Sequence, residues 1–131
     1  MLVYLCRHAE AVPGDPDALR PLTHEGVEQA AQLGERLARE QTPPAIVVSS
    51  PLLRARQTAE EIAQATGAEA RADPRLAPGA TVELLRELLD GLDGPVATVG
   101  HQPDCSEIVV ALTGHDPGFA PAAVHAIELA P

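Results

Sequence analysis

Arg7 and His8 stand directly after the apolar run LVYLC (2–6), Arg54 lies in SSPLLRARQT just past AIVVS (45–49), and His101 sits in GHQPD at the end of VATVG (96–100). These residue types suit one chemistry. A planar guanidinium fork matches the oxygens of a phosphate bidentately, and each charge-assisted bond contributes about 1.5–3 kcal/mol, so several hold a small dianion. A neutral imidazole with one ring nitrogen fixed by a backbone carbonyl presents the other nitrogen's lone pair as a nucleophile, whereas a protonated one is a further cation or an acid. His8, where the backbone turns off its strand, is expected in the first role and His101 in the second. Arg20 is expected at the rim as an extra substrate contact.

Each residue alone has a bland reading. An Arg-His pair is common in a chain with nine arginines and five histidines, and His101 by itself is an ordinary turn histidine. What points to a site is that three separate strand ends deliver the same chemistry, since ligands of open α/β sheets bind beyond the carboxyl ends of the strands. Arg54 in the first turn of a helix is also poorly placed for the helix dipole, which invites an anion as its partner.

The elements that must position these residues are legible as patterns. The three apolar runs have strand length and near-continuous hydrophobicity, as in strands covered on both faces. Val27, Ala30, Ala31, Gly34, Leu37 and Ala38 recur on one helical face, with Thr23 as N-cap and Pro43-Pro44 as the stop. Ala55, Ala59, Ile62, Ala63 and Thr66 repeat the pattern before Gly67, and Val82, Leu85, Leu88, Leu89 and Leu92 mark a third helix. A fourth starts near Pro103 and carries Ile108, Val109 and Leu112 to Gly114. AEARA (68–72) reads as an edge strand and VHAIEL (124–129) as a last strand, while 13–21 and 114–121 read as loops. This order predicts a three-layer α/β/α sandwich with a mostly parallel central sheet, a single domain over 1–131.

Composition narrows the function. The chain has no Lys or Trp, one Tyr and one Phe, so its core is built from Ala, Leu, Val and Ile, and its formal net charge of −10 argues against nucleic acid or an anionic membrane as partner. Cys6 and Cys105 lack both disulfide-framework and metal-site spacing and read as free thiols, and no stretch reaches membrane-span length or forms a charged leader. A soluble, cytoplasmic protein is expected.

The RH after the first strand, the S-P-x-x-R-A-x-Q-T run (Ser50, Pro51, Arg54, Ala55, Gln57, Thr58) and the late G-H-x-P (Gly100, His101, Pro103) resemble the histidine phosphatase superfamily, also called phosphoglycerate mutase-like. RPLTHEG (20–26) is similar to the R-P-L-T-x-x-G run of its small SixA-type phosphohistidine phosphatases, and the chain is too short for the lid insertions of larger members. The resemblance spans essentially the whole chain. It implies His8 as the phosphorylated nucleophile, Arg7 and Arg54 as phosphate ligands, His101 as a phosphate-binding or proton-sharing partner, and neither metal nor cofactor. Larger members use a Glu in a later loop as general acid; ADPRLAPGA offers only Asp73 there, and Glu10 is a second candidate.

An alkoxide leaving group needs such an acid badly, because general acid catalysis contributes about 10²–10⁴-fold, whereas imidazole leaves more readily. The expected substrate is therefore phosphohistidine on a protein surface. A small phosphorylated metabolite and a non-catalytic phosphoprotein-binding role are the alternatives. A cysteine phosphatase would need Arg six residues after its Cys; Val12 and Ala111 stand there instead. His24-Glu25 continues as GVE, not toward a zinc-protease motif, so His24, His115 and His125 read as surface, loop and strand residues.

Overall fold

The computed structural model describes residues 1–130; Pro131, the last residue of the expected domain, lies outside the described residues. Five strands, β1 (Leu2–Arg7), β2 (Ile46–Ser49), β3 (Glu69–Ala72), β4 (Val96–Gly100) and β5 (Val124–Glu128), form one sheet in the order β3-β2-β4-β1-β5. Only β5 runs antiparallel to its neighbour. Four helices, α1 (His24–Ala38), α2 (Leu53–Thr66), α3 (Val82–Asp90) and α4 (Asp104–Thr113), cover it on both faces.

The pleat separates the two apolar layers. Tyr4, Val47, Ala97 and Val99 face Leu33 and Leu37 of α1 and Ala59 and Ile62 of α2. Their strand neighbours Val3, Leu5, Val48 and Val96 face Leu85 and Leu88 of α3 and Ile108 and Val109 of α4. Small residues let the helices come close: at Gly34 a Cβ would lie 2.7 Å from the Glu61 carbonyl oxygen of α2.

Local signals set the helix ends. The Thr23 side chain accepts from the Gly26 amide at the start of α1, and Gly67 and Gly114 close α2 and α4 in the left-handed conformation at φ 77°. Two expectations about α1 are corrected. Helix α1 ends at Ala38, five residues before Pro43, and Val27 is exposed, because the buried stripe runs through Gly26, Ala30, Leu33 and Leu37 instead. β3 is an edge strand exposed throughout, with Arg71 and Glu69 paired at 3.0 Å. No helix among the described residues is long and apolar enough to cross a membrane.

Although β1, β2 and β4 are not consecutive in the chain, the sheet order makes them neighbours. Their carboxyl ends therefore lie side by side.

Candidate active site

At that edge lies a cleft of about 320 Å³, lined by Arg7 and His8 from β1, Arg54 from α2, and His101 and Gln102 from the turn after β4. Asp17 and Arg20, on the 3₁₀ turn Asp17–Leu19 and just after it, and Pro78 complete it. Three arginines face one carboxylate, an excess of two positive charges that matches a phosphate dianion.

His8 is held by its neighbour. Its Nδ1 lies 2.7 Å from the Ala9 carbonyl oxygen, which only accepts, so Nδ1 carries the proton and Nε2 the lone pair. Burial, with Arg54, Arg7 and Arg20 nearby, pushes its pKa down to about 4, so the imidazole is neutral at pH 7. The Ala9 segment is itself pinned: the Ala9 amide donates to Thr58 Oγ1 (3.1 Å) and the Glu10 amide to Gln29 Oε1 (2.9 Å). Gln57 Oε1 accepts from the Leu22 amide at 2.8 Å, so the Gln-Thr of the α2 motif clamps both loops that frame the cleft.

Arg7 donates from Nη1 to the Phe119 carbonyl (2.9 Å), while its buried Nε has no partner among the described residues. Arg54, 6% exposed, donates to the Asp17 carbonyl (2.8 Å) and carboxylate (3.2 Å). Arg20 lies in the cleft, bonded to Asp17 Oδ1 (2.9 Å) and the Val12 carbonyl (2.7 Å).

His101 packs edge-on to His8 with ring centroids 5.1 Å apart. Its Nε2 meets Ser50 Oγ at 2.8 Å, and its Nδ1 is buried with no partner among the described residues. Burial, the neighbouring His8 and Arg54 push its pKa down to about 4. The expectation of a cationic His101 is therefore corrected: burial above all, with the neighbouring cations, leaves it neutral at pH 7. Both histidines regain their ordinary value near 6.5 on unfolding, so between pH 6.5 and 4 the unfolded chain binds protons that the folded one refuses, and stability falls as pH falls through that window. The Tm should drop between pH 6.5 and 5, and His101→Gln should shrink the drop.

Neither candidate acid lines the cleft. Glu10 accepts from Thr23 Oγ1 (3.1 Å) beside α1. Asp73 is locked in two bonds to the Arg75 guanidinium (3.0 and 2.8 Å), which holds its carboxyl below the usual range. The later loop contributes Pro78 instead, its neighbours Gly79 and Ala80 tied by their amides to the Asp104 carboxylate (2.8 and 3.2 Å). Sequence reasoning missed Asp17 and Ser50 as site residues. Asp17 has a faint signal in its i, i+3 spacing to Arg20; Ser50 has none beyond the motif it opens.

The family model described as histidine phosphatase superfamily (branch 1) matches residues 3–78. The chain belongs to that superfamily, and the match supports a phosphatase. Within it the chain resembles the small SixA-type members. Phosphohistidine phosphatase SixA of Escherichia coli (strain K12) is 28% identical, covering 98% of this chain and 86% of that protein. The solved structure of protein histidine phosphatase SixA complexed with tungstate superposes with a TM-score of 0.87 at 29% identity, over 98% of this chain and 88% of that one. The probable phosphoglycerate mutase GpmB of Citrobacter koseri is 43% identical, but over only 56% of this chain and 36% of that protein.

Proposed function

We propose that this chain hydrolyses phosphohistidine on a protein, through a phosphoryl group carried on His8. The observation that supports this most is the Ala9 carbonyl on His8 Nδ1, which leaves Nε2 as the nucleophile among three arginines. His8 Nε2 attacks phosphorus, the P–N bond to the substrate imidazole breaks, and its electron pair stays with that ring. Bond formed and bond broken are of one kind, so the transfer needs little external driving. Water then attacks the phosphoryl group on His8 and releases inorganic phosphate. Arg7 Nε and the remaining N–H groups of Arg54 hold the equatorial oxygens, where charge accumulates in the transition state.

His101 serves this reading as a neutral donor. In it the buried Ser50 Oγ, which accepts the Leu52 amide at 3.2 Å, donates its own proton to His101 Nε2 at 2.8 Å. The ring proton then sits on Nδ1, which has no partner among the described residues, and is offered to a phosphoryl oxygen. Ser50→Ala should therefore lower kcat by about 10–100-fold through loss of the tautomer, with a smaller change in KM; Ser50→Thr should restore much of it. Equal kcat for wild type and Ser50→Ala would remove Ser50 from the mechanism.

The test of the function is turnover of a phosphohistidine-bearing protein against a generic aryl phosphate, in excess EDTA. Preference for phosphohistidine, undiminished by EDTA and competitively inhibited by tungstate, is expected; turnover of the aryl phosphate alone favours a small phosphorylated metabolite, the reading that the GpmB similarity favours. Binding of phosphoprotein without turnover of either substrate would identify a non-catalytic module.

A further inference from the structure

One carboxylate stands in the cleft that phosphate binding does not call for. Asp17 faces Arg20 at 2.9 Å and Arg54 of α2 at 3.2 Å, and shares the cleft with Arg7, His8 and His101. Its negative charge weakens the pull of the guanidiniums on a dianion, so for holding phosphate a neutral residue would serve better. Its side chain remains 60% exposed while that of Arg54 is 7% exposed. Asp17 thus occupies the mouth, and the phosphoryl site lies behind it. What passes the mouth is whatever the phosphoryl group is attached to. The two guanidiniums hold its carboxyl below the ordinary range, so it is an anion and not a proton donor at working pH.

We propose that Asp17 is a specificity-determining residue that favours phosphoryl donors with a positively charged leaving group, the imidazolium form of phosphohistidine, over those that leave as an alkoxide or carry a carboxylate. This rests on the phosphohistidine reading above. In the favoured donor the ring nitrogen not bonded to phosphorus is protonated. His8 Nε2 forms the new P–N bond, the old bond's electron pair returns to the leaving nitrogen, and the ring departs as neutral imidazole with the proton it brought. No proton is drawn from the protein, in keeping with Glu10 and Asp73 lying outside the cleft. An alkoxide would instead build negative charge beside Asp17, and a phosphorylated carboxylic acid would bring a second anion to it.

The test compares wild type, Asp17→Asn and Asp17→Glu on a phosphohistidine peptide and on an aryl phosphate across pH. Asp17→Asn should lower the ratio of the two kcat/KM values about tenfold. It should also move the alkaline limb of kcat on phosphohistidine to lower pH, because the bound imidazolium loses its counter-charge; Asp17→Glu should restore both. Equal losses on the two substrates with an unmoved limb would mean that Asp17 only orients Arg54, and would overturn the inference alone. Absence of wild-type turnover on phosphohistidine, with the aryl phosphate hydrolysed, would overturn the substrate reading and this inference together.

Discussion

Alanine in place of His8 should reduce turnover of phosphohistidine and aryl phosphate alike by at least about 10³-fold, the scale on which removal of a covalent nucleophile acts. It should also abolish the acid-labile, base-stable phosphoenzyme that the wild type yields when quenched during turnover. The fold should survive, because the backbone around the residue is held without its ring: the His8 amide donates to the Gly100 carbonyl at 3.0 Å and the Arg7 amide to Ala123 at 3.0 Å. Loss of activity is then a loss of chemistry. The pH profile carries the same assignment. With the pKa near 4, the lone pair on Nε2 is present above that pH and lost below it. After correction for the substrate's own ionisation, kcat/KM should hold level from neutrality down toward pH 4 and fall beneath it. His101 titrates in the same range 5.1 Å away, so the limb belongs to the pair. Turnover that survives His8→Ala would show that another group takes the phosphoryl.

Gly26→Ala should produce the largest loss of stability from a single methyl group. A Cβ at Gly26 would clash with the Glu10 carbonyl oxygen and lie 3.0 Å from its carbon, and both are backbone atoms that cannot turn aside. Overpacking of this kind costs about 3 kcal/mol or more, read as a fall in Tm. The damage should reach the chemistry as well. The Glu10 carbonyl accepts the Thr23 amide at 3.0 Å, and the residue before it supplies the carbonyl that holds His8 Nδ1. Pushing Glu10 away from α1 shifts that carbonyl, so kcat should fall more than KM rises. Gly67→Ala is the control: nothing among the described residues lies within 4 Å of its Cβ, and only the strain of φ 77° is added, about 1 kcal/mol. It should lose some stability and keep its activity.

The contrast between these two glycines shows what can be read from residues alone. Gly67 ends a run of helical periodicity and declares its function locally, through the conformation only glycine adopts cheaply. Gly26 looks like an ordinary helix residue within RPLTHEG; its reason is a contact with residue 10, sixteen positions away. The same division holds in the site. Arg7, His8, Arg54 and His101 could be singled out because each follows a strand-length apolar run, and strands, caps and helix faces are written in short-range periodicity. Asp17 and Ser50 follow no such run in the same way: beyond the Asp17–Arg20 spacing, the partners that bring them into the site, Arg54 and His101, lie 37 and 51 residues away.

By itself, then, the sequence determined the kind of elements, their order, and the residues with phosphate chemistry at the strand ends. Only the tertiary structure decided that β4 lies between β1 and β2, which sets those ends side by side, and that both histidines are neutral. It also moved the acid candidates out of the cleft and placed an anion at its mouth. The reason is physical. Strand and helix patterns depend on neighbours one to four residues apart, whereas strand order, burial and the field at a titrating group are sums over atoms that only folding brings together.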